Sequence, residues 1–405
     1  MEKNKFWTAR YALINITYFM AFCTIHAFAA VYLLDRGFSN TEVGIVLAVA
    51  NIVSAICQPI LASFIDKPGW LTNRIAIMLC SLLILLGCLI LLIAKDNRAI
   101  IFVVFSLIYM IQFAYQPVLT ALVFEYQKAG CNIFYGLARG LGSAGFAVTS
   151  AFMGNAVENF GVSFLLWSTV VIMLLLVGIT YFFRTDGASS KNSNEDSNNS
   201  EEVKVLNGDE KGSSLGGFLK AYPTFIILLI ATIFLFFAHN MLNDYLIQVI
   251  RSVGGSEKDL GYATFLAALL ELPTMAAITL IIKKISPNRL LIISGVFFSV
   301  KVLIMLVAQN MFMVYLSQAM QLLAYAVFIP ASAYYVNQNM KENDQVKGQA
   351  FITCCFTIAG VFSSLVCGAV LDKFGVSTML VIGSVVSVLG TAVMIRAMIS
   401  RKINV

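Results

Sequence analysis

The chain has 405 residues, of which 59% are hydrophobic and only 12% charged, with a formal net charge of +6 and a mean hydropathy of +0.85. Ordinary soluble domains carry roughly 25% charged residues, so a water-soluble enzyme or binding domain is excluded and a multi-pass membrane protein is indicated. A hydrocarbon core about 30 Å thick needs about 20 apolar residues per helix, and strand-spanned barrels would need alternating segments of about 10.

Twelve stretches of helical length follow in order, near 8–34, 41–65, 75–94, 99–122, 135–157, 162–183, 221–247, 260–282, 290–308, 311–336, 348–370 and 376–397. The first is too long for a signal-peptide core of about 7 to 15 residues and is expected to remain as helix 1. Between the sixth and seventh lies "GASSKNSNEDSNNSEEVKVLNGDEKGSS", poor in apolar residues, which predicts a disordered linker over 184–219. The predicted domains are therefore a six-helix bundle over 1–183 and another over 220–405. With both termini in the cytoplasm, 19 Lys and Arg fall in cytoplasmic segments and six on the other side, while Arg139 and Lys301 lie within helices. The positive charge thus reports orientation, and no nucleic-acid partner is expected. Seven of the eight cysteines fall inside spans, without the spacing of a disulfide or metal site.

The halves echo one another. "GFSNTEVG" at 37–44 opens helix 2 and "GGSEKDLG" at 254–261 opens helix 8, each with a serine cap and an acid three residues on: Ser39 with Glu42, Ser256 with Asp259. "ENFGVS" at 158–163 and "DKFGVS" at 372–377 join the last two helices of each half. The offsets are 217 and 214 residues, and parallel repeats of this kind place a substrate site at their interface.

Buried polar residues supply the candidates for that site. An arginine at mid-helix costs about 2.5 to 3.5 kcal/mol on insertion scales; Arg139 should therefore face a wet cavity or snorkel to the interface and pair with Glu125. Gly136, Gly140 and Ala144 form a small-residue stripe that predicts close approach of a neighbouring helix, while Phe146 shares the arginine's face. Glu271 and Lys301 lie about 11 residues into helices 8 and 9, at similar depth to Gln318 and Gln321, so a Lys301–Glu271 pair is expected as the proton-coupling element. His26 and His239 occupy corresponding places in the two halves. With Asn240, Gln112 and Gln116 they are candidate cavity residues, and Asp244 is a second candidate for coupling. Gln112 and Gln116 are expected to share one helix face.

The loop "ASFIDKPGWLTNR" at 62–74, together with the six-plus-six pattern, resembles the major facilitator superfamily, although Ala62 stands where that family has glycine. The resemblance implies two bundles rocking about a central cavity, with Asp66, Lys67, Gly69 and Arg74 as gating residues. Within the superfamily "QPILASFIDKPG", "YGLARGLGSAGF", "LLEL" and "FSVKVL" are similar, in that order, to the oligosaccharide/proton symporter (lactose permease-like) branch. That likeness implies sugar-binding roles for Arg139 and Glu271 and a ring-stacking role for Phe146, and it places Lys301 where the branch usually has arginine. Three departures stand out: Ala121 near the position of the branch's helix 4 glutamate, Phe146 for tryptophan, and Gln318 and Gln321 in place of charged helix 10 residues.

The expected function is proton-coupled import of a sugar or glycoside across a cell membrane, with the proton as coupling ion, no cofactor or metal, and a monomer as the working unit. The same fold would also suit a nucleoside or organic-anion transporter, or a sensor that does not transport. No Walker loop, HExxH or GxSxG motif occurs, so ATP-driven or enzymatic action has no support.

Overall fold

The computed structural model describes residues 6–65, 70–94, 97–184 and 215–399, and among these it is helical, with no strand. The first half contains α1 (Trp7–Phe22), a π-helical turn at Cys23–Ala27, α2 (Ala29–Asp35), α3 (Asn40–Ile65), α4 (Asn73–Ile93), α5 (Arg98–Ala114), α6 (Gln116–Lys128), α7 (Tyr135–Phe160) and α8 (Ser163–Phe182). The second contains α9 (Leu215–Ala221), α10 (Pro223–Asp244), α11 (Leu246–Ser252), α12 (Glu257–Lys284), α13 (Pro287–Leu306), α14 (Met311–Ala319), a 3-10 turn at Met320–Leu322, α15 (Tyr325–Asn339) and α16 (Glu342–Ile399). Among the described residues eight helices are long and apolar enough to cross a membrane, or nine if the pair Trp7–Ala27 and Ala29–Asp35, bent by 46°, is one span. Most of the expected linker, 185–214, lies outside the described residues; its last five residues belong instead to α9, which Phe218 anchors by stacking on Phe351 and packing obliquely against Tyr222 and edge-on against Phe225.

Four stretches read as continuous helices are interrupted, and the interruptions correspond between halves. The first helix is broken by the π turn, as α10 is separated from α11 at Tyr245; α5 stops at Tyr115, as α14 gives way to a 3-10 turn before α15. At Tyr115 the cause is local: Pro117 sits in the first turn of α6, and a proline ring cannot donate to the preceding turn. Discontinuous helices of this kind free backbone groups near the middle of a membrane protein, where ligands are held. The 58-residue α16 is likewise divided, because Gly375 adopts φ 79°, a left-handed conformation suited to glycine.

Among the described residues the halves meet chiefly where α3 packs on α16 and α7 on α12, both on the side away from the linker, and each contact uses one glycine from either half. Gly44 of α3 lies against Ser364 and Tyr245 Oη, and Gly368 of α16 lies against Asn40. Between α7 and α12, a Cβ on Gly154 would come within 2.6 Å of the Glu257 carbonyl, and one on Gly261 within 2.5 Å of the Ser150 carbonyl. The pairs obey the repeats: Gly44 and Gly261 are 217 residues apart, Gly154 and Gly368 are 214 apart. Buried hydrophobic residues follow the same division. One cluster runs through the first half and continues into the far-side ends of the second, from Phe237 to Ile250 and at Leu371. The other, built on Phe225, Leu290 and Tyr335, stays within the second half. Among the described residues the halves therefore share a core only on the far side.

Acids at corresponding positions reinforce this closure. Asp372 accepts from the backbone N–H groups of Asn40 and Thr41 and from both their side chains, at the positive end of α3. Its counterpart Glu158 accepts from Ser256 Oγ at the start of α12. Both expected caps are present: Glu42 and Ser39 exchange bonds, as do Asp259 and Ser256. Partial burial raises the Asp372 carboxyl, but the bonds from Thr41 and Asn40 outweigh it and hold the group below its ordinary value. A depressed carboxylate stabilises the state that holds it above the free value, near 3.9, and that contribution is lost as pH falls through the lower bound value. Acidification below about pH 4 is thus expected to loosen the α3–α16 contact. Asp372→Asn should remove that acid response when a far-side cross-half distance is followed by spin labels; an unchanged response would show that the cap does not govern the contact.

Candidate functional site

The site forms where interrupted helices α1, α5–α6 and α14–α15 meet α7, α12 and α13. In the first half a pocket of about 240 Å³ is lined by Asn15, Phe19, Gln116, Pro117, Leu119, Thr120, Tyr135 and Arg139. Arg139 Nη1 donates to Ser143 Oγ at 2.9 Å, one turn along the same helix. Its guanidinium lies over the Phe19 ring, 4.0 Å from the centroid, an arrangement worth roughly 0.5 to 2 kcal/mol depending on desolvation. The alternative, a pairing with Glu125, is not adopted: Glu125 accepts from Asn73 Nδ2 at 2.8 Å. Arg139 makes no ion pair among the described residues, and the Glu271 carboxylate of the second half is within its electrostatic reach.

In the second half the expected direct Lys301–Glu271 pair is replaced by a chain. Lys301, only 1% exposed, donates to Gln321 Oε1 at 2.7 Å, and Gln321 Nε2 donates to Glu271 Oε1 at 2.9 Å. The order is chemically dictated, since an ammonium only donates and a carboxylate only accepts, leaving the amide one way to face both. The correction has a steric origin: the 3-10 turn Met320–Leu322 carries Gln321 between the two helices. Ser317 Oγ donates to the Lys301 carbonyl. Gln318 is buried beside this turn with Nε2 unpartnered among the described residues.

The remaining candidates are distributed. His26 lies in the π turn, stacked on Phe22 with ring centroids 3.9 Å apart and packed by Tyr109 and Phe113, both ring nitrogens without a partner among the described residues. His239 Nε2 accepts from Asn243 Nδ2 at 3.0 Å, and the ring stacks on Tyr325. The two histidines, at corresponding positions, thus each sit in an aromatic cage of their own half. Gln112 and Gln116 do not share a face, because the break at Tyr115 turns them apart. Gln112 is fully buried, with its amide against the Tyr18 carbonyl, whereas Gln116 lines the pocket. Phe146 packs toward Phe22, and Asn240 Nδ2 donates to the Phe356 carbonyl. Asp244 is held at the far-side contact by Ser364 Oγ at 2.7 Å, separate from the Lys301–Gln321–Glu271 chain. Of the expected gating residues Asp66, Lys67 and Gly69 lie outside the described residues, and Arg74 stands in the first turn of α4. The glycine stripe is corrected too: nothing lies within 4 Å of a Cβ on Gly136 or Gly140, and α1 instead packs on Gly142 and Gly145 through Phe19, Asn15 and Ile16.

Sequence reasoning missed Asn15 and Phe19. The signal was present, an amide and a ring four residues apart in an otherwise apolar span, but nothing marked α1 as the neighbour of Arg139.

A family model described as the MFS_1 like family matches residues 9–382. The maltose permease of Geobacillus stearothermophilus is 23% identical over 394 residues, covering 95% of this chain and 93% of that protein. Among solved structures the nucleoside transporter NupG superposes with a TM-score of 0.76 at 13% identity, over 98% of this chain and 99% of that one. A POT family peptide transporter superposes with a TM-score of 0.71 at 10% identity, over 98% and 97%. At these identities the structures share the fold.

Proposed function

This chain belongs to the MFS_1 like family, and we propose that it is a secondary transporter that moves a sugar or glycoside across a cell membrane together with protons. The observation that carries this reading is the first-half pocket that holds Arg139, within electrostatic reach of Glu271 in the second half, together with the far-side glycine contacts that join the two repeats. On this reading solute would enter from the linker side in this state and from the far side once the glycine contacts part. The maltose permease relative supports a sugar as cargo. Proton exchange is assigned to the Lys301–Gln321–Glu271 chain, which substrate bonding at Glu271 would rearrange. The excess of basic residues on the linker side supports a cytoplasmic location for it.

Twelve spans complete the reading. A straight 58-residue helix would measure about 87 Å, far beyond a bilayer, and the break at Gly375 divides it into two lengths that each suffice. Helices α7 and α12, of 26 and 28 residues, are long enough to cross as well.

Uptake of labelled maltose and monosaccharide glycosides into proteoliposomes, with and without an imposed pH gradient, tests the proposal. Gradient-dependent accumulation is the expected result, and binding without flux would instead mark a sensor. Arg139→Ala should abolish substrate binding while leaving thermal unfolding near that of the parent. Glu271→Gln should retain exchange of substrate but lose its dependence on the pH gradient; a parental pH profile would remove Glu271 from the coupling chain.

A further inference from the structure

We infer that the cargo is a sugar bearing a carboxylate, a uronate or related sugar acid, held by Arg139. The inference rests on the sugar-transport reading above and follows from the charges around the cavity. Glu271 is joined through Gln321 to Lys301 and also lies within electrostatic reach of Arg139, so one carboxylate serves two cations and one positive charge is left over. Glu125 is occupied by Asn73, and Asp244 by Ser364 at the far-side contact. Ala121, near the place where the symporter branch carries a glutamate, offers no charge. Arg139 is left as a cavity cation whose hydrogen-bonded partner, among the described residues, is the Ser143 hydroxyl.

An uncompensated cation in a partly dehydrated pocket favours an anion from solution, and a guanidinium offers two parallel N–H donors that match a carboxylate. Phe19 holds the plane of that fork, while Ser143 takes one donor and leaves the others for a ligand. The remaining walls suit the body of a sugar: Tyr135 presents a ring, and Asn15, Gln116 and Thr120 present neutral hydrogen-bonding groups. A neutral sugar would satisfy these walls but leave the Arg139 charge unmatched.

The test compares methyl glucuronide, methyl glucoside and glucose 6-phosphate by calorimetry on the full chain in detergent. A charge-assisted pair is worth enough to favour the carboxylate by about 10- to 100-fold, so the glucuronide should bind that much more tightly than the glucoside. Arg139→Gln should erase the preference. Thr120→Glu, which supplies a carboxylate from the pocket wall itself, should reverse it in favour of the glucoside, and it keeps the question answerable should Arg139→Gln fail to fold. Equal or tighter binding of the glucoside overturns the inference while the sugar reading stands. Tighter binding of the phosphate overturns the carboxylate assignment. Binding of none of the three overturns the sugar reading, and this inference with it.

Discussion

Gly44→Val is expected to force the far side open, and Gly44→Val combined with Gly261→Val to hold it open. Their neighbours are backbone carbonyls, of Ser364 and Ser150 respectively, with Tyr245 Oη also 2.7 Å from a Cβ at position 44. A backbone group cannot swing away as a side chain does, so the helices must separate. The substitution does not act by weakening the helix, because valine has a somewhat better intrinsic helix propensity than glycine. The loss falls on the packing between halves, which in a membrane depends on close approach of small residues. Spin labels at Asp35→Cys and Lys258→Cys, both exposed and on opposite halves, should report a distance longer by several ångströms. Gly178→Val, where a Cβ meets nothing within 4 Å, should leave it unchanged. A parental distance in the double variant would show that the glycines do not set the closed state.

The second large effect lies in the buried chain. Lys301→Met would strand the Gln321 carbonyl and remove the cation joined to Glu271 through it, and Glu271→Gln would strand Lys301. Removing one partner of a buried pair typically costs about 3 to 5 kcal/mol. Because the charges meet only through Gln321, Lys301→Met/Glu271→Gln should cost less than the two single changes together, with a coupling of about 1 to 3 kcal/mol. Gln321→Leu cuts both bonds at once and should approach the worse single variant. Thermal unfolding in detergent measures each. Strict additivity would mean that Lys301 and Glu271 do not communicate, and their role in proton exchange would fall with it.

Much of the architecture is legible in the order of residues along the chain. The membrane character, the repeat and both helix caps depend on local pattern: Ser39 meets Glu42, and Ser256 meets Asp259, because a capping box spans only three residues. The two octapeptides even end on the glycines that form the contact, although their purpose is hidden there, since Gly44 and Gly261 meet partners over a hundred residues away in sequence. Distance in the chain also conceals the site. Gly136 and Gly140 carry a spacing that suits close packing, yet α1 lies on the face of Gly142 and Gly145, a choice made by which side of α7 meets Phe19. Lys301 and Glu271 are recognisable as buried charges of equal depth, but whether they touch depends on a single 3-10 turn that rotates Gln321 between them. Local pattern thus dictates which residues bear the cost of burial and where helices begin. Packing selects which of them share that cost, because hydrogen bonds act over about 3 Å and only the assembled helices bring distant residues so close.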